Sequence, residues 1–258
     1  VRVLLRAVVA DDGVWQGVVL KNIPTHFENA ELLRDGVPVA AEGDPLANGE
    51  LLSAIYALEG GGDNVCLLAY LESFGGVSPN SSALVRGQQV VLEGGQPPAV
   101  VGLPPGTVCN NIETLAANDT DTALVIARVN GNPADRALIL FRFDASGASV
   151  VRQLLLRTGD VLADGAVVDD FARGALNEQG DWLVRLTTTT GQDRLLGNAR
   201  EYLRAGAPSP ILGRSVAQIL RGYSLNDLGG FATEALLSGD PATDTVLLVN
   251  GAIAAQEG

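Results

Sequence analysis

Two stretches late in the chain decide the fold: "GALNEQGDWLVRL" over residues 174–186 and "YSLNDLGGFATEAL" over residues 223–236. Each reads as an apolar strand, then Asn-acidic-x-Gly, then an aromatic two residues past the glycine. Asn and Gly tolerate the left-handed backbone of a tight hairpin, so both stretches predict strand, turn and strand. Working outward, "VVADDGVWQGVVL" near the start repeats the pattern with Ala10 in the Asn position. "TLAANDTDTALVIARV" keeps Asn118 and places Asp121 in the glycine position, and "YALEGGGDNVCLLAYL" keeps Gly62 without the Asn.

The glycine position falls at residues 13, 62, 121, 180 and 229, at intervals of 49, 59, 59 and 49. That is the length of a four-stranded blade with its loops. A second marker recurs in the same order: "VAAEGD", "VVLEGG", "LLLRTGD", "YLRAGA" and "AAQEG", with glycines at 43, 94, 159, 206 and 258. Between the markers run Val-, Leu- and Ala-rich segments with period-2 character, which predict a second strand after each anchor turn, a short third, and a fourth ending in the second marker. The predicted fold is therefore all-β, a five-bladed β-propeller with about four antiparallel strands per blade. One domain covers residues 1–258, in units 1–51, 52–106, 107–167, 168–215 and 216–258. A four-stranded unit cannot bury both faces alone and must stack on a neighbour.

Composition narrows the function classes. With 17 Lys and Arg against 30 Asp and Glu, the net charge is −13, which excludes the clustered basic surface that nucleic acid or anionic lipid requires. No run of 18 apolar residues is present to span a membrane as a helix. A chain that begins at Val1 reads as processed, trimmed or a fragment. Two cysteines, Cys66 and Cys109, are too few for a zinc site; they are either two buried free thiols or one disulfide of a secreted protein. Asn80-Ser81-Ser82 and Asn118-Asp119-Thr120 are glycosylation triplets.

The units "LNxxGx(F/W)…LLxxG…VxxEGD" resemble the propeller-like repeats of bacterial secreted proteins that carry PEP-CTERM or other choice-of-anchor sorting signals. The likeness is strongest at Leu176-Asn177-Glu178-Gln179-Gly180-Asp181-Trp182 and Leu225-Asn226-Asp227-Leu228-Gly229-Gly230-Phe231. It implies an exported, extracellular or cell-surface protein and transfers no catalytic residue.

The acidic position beside each anchor turn offers the best candidate constellation: Asp11, Asp119, Glu178 and Asp227. Converging on one mouth of a channel, these carboxylates would suit a hard cation such as Ca²⁺. The competing reading is that Asx and acidic residues build tight turns. A glycoside hydrolase would draw its two carboxylates from the same residues. They are repeat-equivalent, however, and a catalytic group is expected to break a repeat. Aromatics are scarce at 5%, and Trp15 and Trp182 share one repeat register, which points to the blade core. His26 is the only histidine, and no G-x-S-x-G accompanies it. The sequence thus predicts a non-catalytic extracellular scaffold or binding module. Its partners would be copies of itself or a cell-surface protein or polysaccharide, met through loops such as 73–82 and 130–135. The alternative is a carbohydrate-active propeller, hydrolase or lectin.

Overall fold

The computed structural model describes residues 2–9, 13, 15–21, 30–60, 65–72, 81–132, 134–144, 146, 148–198, 200–211, 213–239 and 244–257. Five antiparallel four-stranded sheets follow one another along the chain, and there is no helix among the described residues. Sheet 1 holds β1 (Arg2–Val9), β2 (Trp15–Lys21), β3 (Ala30–Arg34) and β4 (Val37–Ala41). Sheet 2 holds β5 (Leu51–Glu59), β6 (Cys66–Glu72), β7 (Ser81–Arg86) and β8 (Gln89–Glu93). Sheet 3 holds β9 (Cys109–Ala117), β10 (Thr122–Val129), β11 (Arg136–Phe143) and β12 (Ser149–Arg157). Sheet 4 holds β13 (Val168–Leu176), β14 (Trp182–Thr188), β15 (Asp193–Gly197) and β16 (Arg200–Arg204). Sheet 5 holds β17 (Val216–Leu225), β18 (Phe231–Leu237), β19 (Thr245–Val249) and β20 (Ala252–Gln256). In every sheet the strands are paired in chain order, so each is a meander. The all-β class and the five blades of four strands are those the repeat predicts, and the described anchor turns, at Asn118, Asn177 and Asn226, join the first strand of a sheet to its second.

By compactness the chain divides into two units, Val1–Leu155 and Leu156–Gly258. In the first unit, alternation along one strand builds two cores at once. On β6, Leu67, Ala69 and Leu71 join Val18, Leu32 and Leu52, whereas Cys66 and Leu68 join Ile112, Val125, Ile139 and Phe141. Sheet 2 is thus buried on both faces, which explains its nearly continuous apolar sequence. Each fully buried leucine contributes about 2 kcal/mol. In the second unit, β18 alternates buried with partly exposed residues, and Phe231, Ala235 and Leu237 pack with Leu183, Leu195 and Ile219.

Where it is described, the second repeated marker bonds to the strand that follows it in the chain. Gly43 N–H donates to Leu52 O at 2.7 Å, Gly159 to Val168 O at 2.8 Å and Gly206 to Val216 O at 2.7 Å. Between sheets 2 and 3 the donor is Gly95, to Cys109 O at 2.6 Å. Gly95 carries the same positive φ, 84°, as Gly43 (91°), Gly159 (89°) and Gly206 (88°). The marker in this unit is therefore Gly95, one residue beyond the Gly94 that the pattern selects; Gly94 N–H stays in the ladder, bonded to Ser82 O at 2.8 Å.

Two further features recur. "GDPLANG" from Gly43 and "GDVLADG" from Gly159 form the same closed loop, in which Leu46 and Leu162 N–H donate to Glu50 O and Ala166 O. The corresponding link between sheets 2 and 3 is longer and proline-rich, and Val101 forms a parallel bridge to Gln153 on the outer strand β12. The outer strands also share a bulge: Val39, Val91, Tyr202 and Ala254 each fall where the pairing of strands three and four slips by one residue. A bulge turns side chains away from their ladder direction.

Candidate functional site

The repeated Asn of the anchor turn closes the turn with its side chain. Asn118 Oδ1 accepts N–H bonds from Thr120 (3.3 Å), Asp121 (3.2 Å) and Thr122 (2.9 Å). Asn177 Oδ1 accepts from Gln179 and Asp181, and Asn226 Oδ1 from Leu228 and Gly230. These are Asx-turns, with the side chain in place of a backbone carbonyl. Asn118 and Asn177 are 2% and 4% exposed, so each is a buried acceptor, and Thr122, one of the donors to Asn118, is buried as well. The glycosylation triplet at Asn118 is consequently inaccessible in the folded chain; Asn80 lies outside the described residues.

The glycine position also has a physical cause. Gly180 and Gly229 take φ of 78° and 72°, and their N–H groups donate to Asn177 O and Asn226 O. Asp121, which stands in the same position, is not left-handed, and its N–H goes to the Asn118 side chain instead. The turn opens where glycine is lost, and the Asn side chain supplies the missing acceptor.

Of the four predicted carboxylates, Asp11 lies outside the described residues, as do His26 and the anchor Gly62. Asp119 belongs to the first unit. Glu178 and Asp227 are brought together in the second: Asp227 Oδ1 accepts the backbone N–H of Glu178 at 2.8 Å. Beside this bond, Asn177 Nδ2 donates to Asn226 O at 2.8 Å. The two anchor turns are joined by these side chains, and the acid of one sheet serves the backbone of its neighbour. Among the described residues, no group of three or more His, Cys, Asp or Glu is placed to hold a metal ion.

The disulfide weighed for Cys66 and Cys109 is not formed. Both are buried thiols in the core between sheets 2 and 3, and burial pushes each up to about 12 from an ordinary 9.0. They serve as small apolar side chains. Of the two loops expected to make contacts, 73–80 lies outside the described residues. The stretch after β10 is a tight turn closed by Asn130 Nδ2 on Asp135 Oδ2 at 3.0 Å.

Several residues with definite roles carry no signal in the anchor pattern. Asp35, Asn198 and Asn250, at the turns between strands three and four, accept the N–H of Trp15, Trp182 and Phe231 at 3.0, 3.1 and 2.8 Å. The aromatic position is thereby tied to a second hairpin of its own sheet. Phe231 is core, as expected of this register, and the two tryptophans are half-buried.

In the second unit, Asp193 takes a bidentate Arg185 at 2.9 and 3.1 Å. Arg194, with only 6% of its side chain exposed, pairs with Asp164 at 2.7 Å and Glu201 at 3.1 Å. Its guanidinium holds the Asp164 carboxyl below its ordinary value. In the first unit, Tyr56 and Tyr70 stack with centroids 4.9 Å apart and remain 41% and 38% exposed. Tyr56 O–H donates to Ile112 O at 3.2 Å, and the next residue, Glu113, pairs with Arg128 and, at 2.8 Å, with Arg136. Tyr56 and Glu113 both fall at register slips in the first strands of their sheets.

A cleft of about 430 Å³ opens between the β15–β16 hairpin and the sheet 5 anchor turn, lined by Arg200, Glu201, Tyr202, Leu228, Gly229 and Asn250. The Arg200 guanidinium lies over the Tyr202 ring, 4.1 Å from its centroid, and donates to Gly229 O at 3.3 Å. Tyr202 in turn meets Phe231 edge-on at 5.2 Å.

No protein-family model and no curated protein matches the chain. Among solved structures, it is similar over 99% of its length to a prolyl endopeptidase (13% identity, TM-score 0.47) and to prolyl oligopeptidase B of Galerina marginata (9%, 0.47). It covers 34% and 35% of those two chains, about a third of their length. It is also similar over 98% of its length to the fucose-specific lectin of Aleuria aurantia, of which it covers 77% (9% identity, TM-score 0.38). At these scores the likenesses carry no argument about function.

Proposed function

We propose that this chain is a non-catalytic binding or scaffold module of an extracellular or cell-surface protein, whose partners are copies of itself or a surface protein or polysaccharide. The observation that carries the reading is the bond from Glu178 N–H to Asp227 Oδ1. The repeat-equivalent acid that would have to act in catalysis or hold a cation is engaged in joining two sheets. Apolar side chains on an outer strand supply contact surface: Val37 and Val39 on β4 are 62% and 51% exposed.

Sedimentation across a wide concentration range, together with retention on isolated cell-wall and capsular polymers, tests this reading. Self-association or retention without hydrolysis is expected. A strictly monomeric chain that binds no surface polymer overturns it, as does polysaccharide hydrolysis that disappears on Asp119→Asn or Glu178→Gln.

A second reading, a carbohydrate-binding or carbohydrate-cleaving domain, is favoured by the half-exposed Tyr56–Tyr70 pair, whose Tyr56 O–H bonds the backbone next to Glu113. Aromatic faces stack on sugar rings, and carboxylates accept their hydroxyls. A glycan array read alongside a hydrolysis screen separates the two readings.

A further inference from the structure

The cleft at Arg200 holds an unusual charge for this molecule. The chain has a net charge of −13, yet among the described residues no carboxylate pairs with Arg200. Its partners are one carbonyl and one aromatic ring. The neighbouring Glu201 is taken up by others, Arg194 at 3.1 Å and Arg204 at 3.5 Å. Such a guanidinium, lying over a ring, keeps N–H donors for an incoming anion.

The rest of the cleft suits a hydroxylated ring. Leu228, at the tip of the anchor turn, is 95% exposed, the most exposed large apolar side chain of the described chain. Asn250 commits its Oδ1 to Phe231 N–H, which leaves its amide N–H groups to donate. Gly229 forms part of the floor and leaves it open, with nothing within 4 Å of where a Cβ would stand. Tyr202 is presented here because it falls at the bulge of β16, between the Leu195–Leu203 and Leu196–Glu201 pairings. The volume lies within the range of small-ligand sites.

We propose that this cleft binds an anionic saccharide, with Arg200 taking the acid group, Tyr202 and Leu228 the apolar face of the ring, and Asn250 a hydroxyl. The proposal rests on the binding-module reading and names its ligand class. The acid could be a uronate carboxylate or a sulfate ester, and the two share the same recognition chemistry.

Calorimetric titration of the full chain with oligogalacturonate, its methyl ester and dextran sulfate tests the proposal. The free acid or the sulfated polymer is expected to bind, with affinity falling as salt rises, and the ester is expected to bind at least tenfold more weakly. Arg200→Ala should weaken binding about tenfold or more at an unchanged melting temperature, and Arg200→Lys should recover only part of it. Arg142→Ala, an exposed arginine of the first unit, should leave binding unchanged. Tighter binding of oligogalacturonate than of dextran sulfate assigns the site to uronates, and the reverse assigns it to sulfate esters. The proposal is overturned if the ester binds as well as the acid, if Arg200→Ala has no effect, if poly-glutamate binds as tightly, or if neither anionic polymer binds. Self-association or retention of neutral polymers under those outcomes leaves the binding-module reading standing; loss of both removes it as well.

Discussion

Asp227 holds Glu178 by its backbone: the carboxylate of the sheet 5 anchor turn accepts the N–H of the sheet 4 anchor turn at 2.8 Å. With the Asn177–Asn226 bond beside it, this makes the hairpin edge of sheets 4 and 5 a cross-linked pair. The bond itself is exposed, so it contributes about 1 kcal/mol and not the larger value of a buried charged one. Asp227→Ala should lower the melting temperature by about 2–4 °C, as expected for a chain of this size. Asp227→Asn keeps an accepting oxygen and should stay close to the parent. Paired thermal scans read the difference. An unchanged Asp227→Ala would return the carboxylate to the list of groups free for a ligand and would weaken the scaffold reading.

The turn asparagines should rank by burial. Asn118 accepts three N–H groups at 2% exposure, whereas Asn226, which accepts two, is exposed. Removing the Asn118 acceptor leaves the buried Thr122 N–H without water to replace it, at a cost of about 2–3 kcal/mol; at an exposed turn, water takes over and about 1 kcal/mol is lost. Urea midpoints of Asn118→Ala and Asn226→Ala measure this order, and equal losses would show that the Asn118 turn opens to solvent.

These turns also show how much of the molecule is legible in its sequence. Strand positions came through clearly because the anchor glycine and the Asx beside it are local requirements of a hairpin, and local requirements leave local patterns. Blade stitching did not, because its donors look alike: in "EGG" only backbone geometry distinguishes Gly95, at φ 84°, from Gly94. The roles of Asp35, Asn198 and Asn250 are equally hidden, since their partners Trp15, Trp182 and Phe231 stand 16 to 20 residues away. The candidate site was least legible. Arg200 meets Gly229 across two sheets, 29 residues along the chain, and no residue spacing announces it. The repeat-equivalent acids draw attention because they recur; of them, Asp227 is the one whose carboxylate is seen to accept a bond from a neighbouring turn.

Gly94 and Gly95 give a direct test of the corrected stitch. A Cβ at Gly94 would stand 3.2 Å from Asn110 O and 3.3 Å from Ser82 O, backbone atoms that cannot yield cheaply. At Gly95 nothing lies within 4 Å, and only the left-handed backbone resists a side chain. Substitution at 94 should therefore be penalised by bulk, so that Asn is worse than Ala. At 95 Asn, which tolerates positive φ, should be better than Ala, itself costing about 1–2 kcal/mol. Equilibrium unfolding of the four variants decides the matter. The same order at both positions would contradict the assignment of Gly95 as the stitch.

The buried thiols make the last prediction, which concerns alkali. Cys66 and Cys109 are held near 12 by burial, against an ordinary 9.0 in the unfolded chain. Folding therefore favours the protonated thiols, and their contribution is fully present below pH 9. As pH rises from about 9 toward 12, the unfolded chain releases these protons while the folded chain keeps them, so stability falls across that window. Each thiol should shift the unfolding equilibrium up to about tenfold per pH unit within it. Tyr223, raised from 10.0 to about 12 chiefly by burial, adds to the loss at the upper end. Cys66→Ala with Cys109→Ala costs packing at neutral pH but should flatten the alkaline slope, which unfolding curves between pH 8 and 11 can show. In the parent, iodoacetamide at pH 8 should label neither thiol until urea opens the sheet 2–sheet 3 core, and then both together. Prompt labelling of one thiol in the folded chain would mean that this core admits solvent, and an alkaline slope unchanged in the double variant would place the proton release elsewhere.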